Sequence, residues 1–297
     1  ANKGGIVSEV VQYFLAGLGI GGIYALVAIG FHIMWSSAKA VNFAHGDTLM
    51  LGAVLTIVFL DFGLPIAIAI ALAILVGMLF GVVLERVAIR PFATQARSIG
   101  WMLTTIAIGI MLESYTTISF GAFARPLPSP LVENPVIILG AGIYPQELLI
   151  PIAAIAIVAV LHVFQRRTQL GRAMRAVAYN REAAGIVGIN VTGIAMISFA
   201  MASALGGLSG ILVAPVIQAS ATMGLLLGIK GFAVAIIGGI TSAPGVVIAG
   251  LLYGVIEKFV DGYISTAARE AVGFSIVILV LMIWPQGLFG RKEIVKV

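Results

Sequence analysis

The chain has 297 residues, 61% of them hydrophobic and 10% charged, with a formal net charge of +5 and no cysteine. A soluble domain carries about 25% charged residues, so this composition excludes a water-soluble enzyme, a disordered chain and a disulfide-stapled scaffold. The basic residues are few and scattered between apolar runs, which undercuts a nucleic-acid-binding reading of the positive charge. The expected fold is an all-α polytopic membrane protein, with residues 1–297 forming a single transmembrane domain in the lipid bilayer.

A membrane helix needs about 20 largely apolar residues, and uncharged stretches mark the candidates. The first lies between Glu9 and Lys39. It is too long for a signal peptide and no small-residue cleavage site follows it, so it reads as a true span. The second apolar run, 48–60, reaches spanning length only if it begins near Val41, which takes in Asn42, His45 and Asp47. A third span covers 64–84. A fourth covers 99–120 and contains one charge, Glu113. A fifth runs from 148 to 164.

From Ala183 to Ile256 the only charged residue is Lys230. One helix is expected over 191–216. A further apolar block, 231–256, is interrupted by Ile240-Thr241-Ser242-Ala243-Pro244-Gly245. That block reads either as two helices joined by a turn or as a re-entrant pair of half-helices. With Lys230 at one surface, the re-entrant form would put Thr241 and Ser242 near the midplane, where broken backbone lines a path. A last span covers 270–289. About seven to nine membrane-inserted helical segments are therefore expected.

The basic residues cluster at Lys39, at Arg86, Arg90 and Arg97, at Arg166, Arg167, Arg172, Arg175 and Arg181, and at Arg291, Lys292 and Lys296. All four regions fall on one side of an alternating topology, and the positive-inside rule makes that side cytoplasmic. The C-terminus is then cytoplasmic and the N-terminus external.

Three sets of polar residues could carry function. Asn42, His45 and Asp47 open the second span, where a helix N-terminus can meet an anion or where they simply cap the helix. Glu113 is an ionisable group within a span, which is costly and marks a functional candidate. The Ala-rich stretch 171–188 is helix-prone. Arg172, Arg175, Tyr179 and Glu182 are spaced by three and four, which puts them on one helical face as either a membrane-surface helix or a docking element. Glycine pairs spaced by four, such as Gly17/Gly21, Gly206/Gly210 and Gly250/Gly254, suit close helix packing. The three histidines, His32, His45 and His162, have no metal-ligand spacing. No Walker pattern is present, so no nucleotide site is expected in this chain.

The pattern Glu182-Ala183-Ala184-x-x-x-Gly188 resembles the EAA loop of ABC-importer permeases. It occurs in order with Val41-Asn-Phe-Ala-His-Gly-Asp47, Glu85-Arg-Val-Ala-Ile-Arg-Pro91, Gly238-Gly-Ile-Thr-Ser-Ala-Pro-Gly245 and Pro285-Gln-Gly-Leu-Phe-Gly290. Together these are similar to the LivH-type permeases of the branched-chain amino acid ABC importers, over essentially the whole chain. The resemblance implies a second homologous permease subunit, two ATP-binding subunits that hold ATP and Mg, and an external substrate-binding protein, all at a bacterial inner membrane. It implies no cofactor bound by this chain and no enzymatic activity of its own. The substrates it implies are branched-chain amino acids or related small polar organic molecules. It also assigns ATPase coupling to Arg172, Arg175, Tyr179, Glu182, Ala183, Ala184 and Gly188. The candidate path residues are Asn42, His45, Asp47, Glu113, Thr241 and Ser242.

Two other classes fit less well. An ion-coupled secondary transporter would need several intramembrane coupling groups, and Glu113 is the one plain carboxylate. Gly207-Leu-Ser-Gly210 looks like the serine motif of rhomboid proteases, but a serine nucleophile needs a histidine base, and no histidine follows His162.

Overall fold

A computed structural model describes residues 3–92 and 99–290. Arg97, Arg291, Lys292 and Lys296 lie outside the described residues. The described chain is all-α apart from one short hairpin. In order it forms α1 (Lys3–Ala38), α2 (His45–Asp61), α3 (Ile66–Leu84), α4 (Gly100–Phe120), α5 (Pro145–Arg167), α6 (Gln169–Tyr179), α7 (Arg181–Ile186), α8 (Val191–Ile217), α9 (Met223–Gly238), α10 (Ala243–Tyr263) and α11 (Ala268–Ile283). Strands β1 (Val136–Ile138) and β2 (Ala141–Ile143) pair antiparallel between α4 and α5. Six helices are long and apolar enough to cross a membrane: α1, α3, α4, α5, α8 and α10.

Helices α2, α9 and α11 have 17, 16 and 16 residues. At 1.5 Å per residue they reach about 24–26 Å, short of a hydrocarbon core of about 30 Å. Most of α2 and α9 is buried inside the bundle, α2 against α8, α3 and α9. The second span thus reaches its depth with a short helix preceded by buried, non-helical backbone at 40–44, rather than with a full helix from Val41.

Apolar burial does not drive helices together in lipid, because the tails are as apolar as leucine. Close packing at small residues does. At the α1–α10 crossing, a Cβ on Gly21 would lie 2.7 Å from the Gly250 carbonyl, and one on Gly17 would lie 2.6 Å from the Val255 Cα. At the α2–α8 crossing, added carbons on Gly52 and Gly210 would collide with the backbone of Gly207 and Leu49. The four-residue glycine spacing therefore sits at these crossings.

The 231–256 block is two helices joined by a turn at 239–242. Helix α9 starts at Met223, eight residues before the apolar block, so Lys230 falls in mid-helix and not at a surface. The turn lies at the bundle end where α1 finishes. His32 Nδ1 is 2.7 Å from the Ile240 carbonyl, and the Leu288 N–H donates to Ile237 O at 2.8 Å. The Pro-Gly break is the start of α10, in the turn that follows α9.

Replacing Gly210 by Val should destabilise the protein by about 3 kcal/mol, the cost of overpacking a closed contact. Gly142→Ala, where an added carbon meets only Pro135 Cβ at 4.0 Å, should stay within about 0.5 kcal/mol. Thermal unfolding of the purified protein in detergent checks both.

Candidate functional site

The chain leaves α1 at Ala38, turns at Lys39 with a φ of 52°, and runs back into the bundle. Val27, whose carbonyl lies 3.1 Å from His45 Nε2, is about 16 Å from the end of α1. Non-helical backbone at that depth must find partners within the protein. Asn42 Oδ1 accepts from the Ala44 N–H at 2.9 Å, the Phe43 N–H donates to Thr105 Oγ1 at 3.2 Å, and Thr48 Oγ1 donates to the His45 carbonyl at 2.6 Å. His45 Nε2 carries a proton to bond Val27, which leaves Nδ1 facing Thr48 Oγ1 at 3.4 Å. Asn42 is fully buried and its Nδ2 has no partner. No side chain caps the first turn of α2. Asn42 braces the entry turn instead, so simple capping does not account for these residues.

Asp47 is buried in the first turn of α2, with Oδ2 packed against Gly109 of α4. Glu113 stands one turn further along α4 and is half-buried. Asp47 and Glu113 are therefore brought together in the α2–α4 crevice, with Asn42 in the chain that leads into it, whereas His45 turns to the other side of α2, against Gly30 and Phe31 of α1 and Gly206 of α8. Phe43 closes one side of the crevice, stacked on Trp101 with ring centroids 6.3 Å apart and set edge-on to Phe232.

Helix α4 is the least hydropathic of the six long apolar helices, and little of it is buried. Its hydroxyls bond carbonyls one turn back, as Thr117 does to Glu113 and Ser119 to Tyr115. That device satisfies a hydroxyl in lipid. It does nothing for the Glu113 carboxyl or the exposed Tyr115 ring, which need water or another protein surface.

Residues 169–188 form two short helices. The backbone is extended at Asn180, with φ −153° and ψ 108°, because the Asn180 side chain accepts from Ala183 N–H and caps α7. Arg172, Arg175 and Tyr179 thus lie on α6 and Glu182 on α7, so the single continuous face expected from their spacing is broken. The glycine of the motif has a local cause. Gly188 has a φ of 87°, Ile189 N–H donates to Ala184 O and Gly188 N–H to Gly185 O, both at 3.0 Å, which together make a Schellman stop. Helix α6 seats Gly171, Met174 and Val177 against the bundle and leaves Arg172 and Arg175 exposed. Arg181 donates to the Ala38 carbonyl at the end of α1. Ala184 is buried under α7, while Ala183 and Glu182 are exposed. Tyr179, Ile186 and Val187 project almost free of the protein, at 92%, 87% and 74% exposure. Sequence reasoning missed Ile186 and Val187, whose only signal is two β-branched residues just before a helix-stop glycine.

Thr241 and Ser242 do not join the α2–α4 crevice. They sit in the α9–α10 turn, where Ser242 Oγ accepts from the Gly245 N–H and starts α10.

Residues 13–284 match the family described as branched-chain amino acid transport system, permease component. The chain belongs to this permease family. It is thus a permease subunit of an ABC importer and a multi-pass membrane protein. The chain is 32% identical to the Escherichia coli K12 high-affinity branched-chain amino acid transport system permease protein LivH, over 98% of this chain and all of that protein. It is likewise 32% identical to BraD of Pseudomonas aeruginosa, over 98% of this chain and 99% of that protein. Among solved structures, PsaBC from Streptococcus pneumoniae in complex with Fab is similar with a TM-score of 0.51 and 14% identity, covering 93% of this chain and 91% of that one. That likeness concerns the fold alone.

The permease also holds a buried ion network that the sequence did not reveal. Lys230 Nζ lies 2.8 Å from both Glu257 Oε1 and Glu270 Oε1, and Arg269 bridges the same two carboxylates at 3.3 and 3.1 Å. The ammonium also sits 5.8 Å from the centre of the Tyr24 ring. Two cations balance two anions, so the cluster is neutral and joins α9, α10 and α11. Lys230→Met would leave Glu257 buried beside a more distant Arg269, and should cost about 3 kcal/mol in unfolding experiments. Adding Glu257→Leu should recover most of that loss, because removing a whole buried pair is often close to neutral.

Proposed function

We propose that this permease, paired with a second homologous permease subunit in a bacterial inner membrane, forms the path for branched-chain amino acids or related small polar organic substrates. ATP and Mg are held by two ATP-binding subunits, and an external binding protein delivers substrate. The observation that carries this reading is the α2–α4 crevice, which sets two carboxylates, the buried Asp47 and the half-buried Glu113, beside each other. A zwitterionic amino acid suits such a site. Its ammonium can meet the carboxylates, and its carboxylate can meet the Asn42 amide and the positive end of α2.

The end of the bundle that carries α6, α7 and the arginines Arg86, Arg90, Arg166, Arg167, Arg172 and Arg175 is assigned to the cytoplasm by the positive-inside rule. On that assignment the N-terminus is external, the C-terminus is cytoplasmic, and Thr241 and Ser242 flank the inner mouth of the path. The exposed tip formed by Tyr179, Ile186 and Val187, rimmed by Arg172, Arg175 and Glu182, is the surface offered to the ATPase, with Ala183 and Ala184 setting its slim core and Gly188 its stop. The chain itself hydrolyses no ATP and binds no cofactor in this scheme.

In liposomes holding the complete importer, uptake should require ATP and the binding protein. Uptake driven by an ion gradient without the ATPases would overturn the reading in favour of a secondary transporter. Glu113→Gln should lower uptake by about tenfold, the value of one charge-assisted contact. Unchanged rate and substrate range would remove Glu113 from the path. Gly188→Val or Glu182→Ala should weaken substrate-stimulated ATP hydrolysis while membrane insertion stays intact, as judged by copurification with the membrane fraction.

A further inference from the structure

The stretch Glu85-Arg-Val-Ala-Ile-Arg-Pro91 has no part in the site described so far. After α3 the chain forms a π turn, Glu85–Ile89, closed by the Arg90 N–H donating to the Glu85 carbonyl. A 3-10 turn follows at Arg90–Phe92. In an α-helix, residues five apart are turned about 500° and their side chains point about 140° away from each other. The wider closure of a π turn brings them back over one another. Glu85 and Arg90 accordingly meet with two contacts, Nη2 to Oε2 at 2.7 Å and Nε to Oε1 at 3.4 Å. Glu85 is buried and Arg90 is partly exposed.

This turn touches three other parts of the molecule. Leu84 and Ala88 pack with Ala44, the residue before α2, and Ile108 of α4 packs against the same cluster. Ile89 joins the main core. Arg90 Nη2 also reaches Met196 Sδ at 3.7 Å, near the start of α8. Helix α8 begins directly after the Gly188 stop, capped by Asn190. One ion pair therefore lies between the end of the exposed 169–188 segment and both walls of the α2–α4 crevice.

We propose that the Glu85–Arg90 pair is a positioning element that carries displacement of the 169–188 segment, through the start of α8, into the α2–α4 crevice. A turn that closes either five or four residues back has two discrete registers, and a discrete two-state element is what coupling between distant sites requires. In the π register the pair is made. In the α register Arg90 swings away from Glu85 and from Met196, and the packing of Leu84 and Ala88 on Ala44 and Ile108 turns with it. Occupancy of the pair thus reports and biases the state of the crevice. The inference rests on the reading of 169–188 as the ATPase contact and of the crevice as the path.

The test uses the complete importer in liposomes, with uptake and ATP hydrolysis measured on the same preparation. Glu85→Gln should lower substrate imported per ATP by about tenfold, while hydrolysis without the binding protein stays near native and the complex elutes intact. Arg90→Lys, which keeps the charge but loses the two-nitrogen contact, should give a smaller loss in the same ratio. Arg86→Gln, at an exposed neighbour, should leave the ratio unchanged. A native ratio in Glu85→Gln overturns the proposal. If Glu85→Gln fails to assemble, Arg90→Lys decides: an intact complex with a lowered ratio supports the role, and a native ratio or a second failure to assemble overturns it. A native complex without ATP-driven uptake would overturn the underlying functional reading, and this proposal with it.

Discussion

Helix α2 is held by direct backbone contact, and the rest of the bundle is arranged around that requirement. Gly46 lies against Gly224 and Gly228 of α9, Gly52 against Gly207, and the Leu49 carbonyl against Gly210 of α8. In lipid no hydrophobic force presses helices together, so contacts of this closeness supply the dispersion energy that does. Helix α2 starts deep in the bundle, and its approach at 40–44 must find hydrogen bonds inside the protein. Asn42, His45, Thr48 and Thr105 are polar and buried for that reason. The polar character of the crevice thus follows from how tightly its neighbour is packed.

Three sets of charges within the described bundle are arranged differently. Lys230, Glu257, Arg269 and Glu270 neutralise one another and pin α11, a helix with little buried surface of its own, to α9 and α10. Glu85 and Arg90 form a pair whose geometry depends on an unusual turn. Asp47 and Glu113 lie near each other across α2 and α4, and among the described residues neither makes an ion pair. A lone intramembrane ionisable group is a functional candidate by default.

Much of this was legible in the sequence. Charge-free stretches gave the long spans, and the Arg-rich 171–188 stretch with its glycine located the exposed segment. Other features depend on which residues face each other in three dimensions. Lys230 and Glu270 are separated by 40 positions, and nothing in their local composition pairs them. Lys230 read as a surface residue because the apolar block seemed to begin after it, whereas α9 begins at Met223, eight residues before that block. The break at Asn180 was hidden by alanine-rich flanks of high helix propensity. One side-chain cap outweighed that propensity. The π turn leaves no compositional trace at all, since only the i+5 partnership of Glu85 and Arg90 distinguishes it from a continued helix.

The stop at Gly188 has an entropic consequence. Two hydrogen bonds close the end of α7 and a left-handed glycine sets the direction of the next residue. Asn180 and Asn190 cap the helices on either side. The exposed tip at Tyr179, Ile186 and Val187 is consequently preorganised. A partner that binds it meets backbone already in its bound shape and does not lose affinity to ordering a loop. The same rigidity means that a push on the tip reaches α8 as translation of a fixed corner, with little lost to rotation of backbone dihedrals.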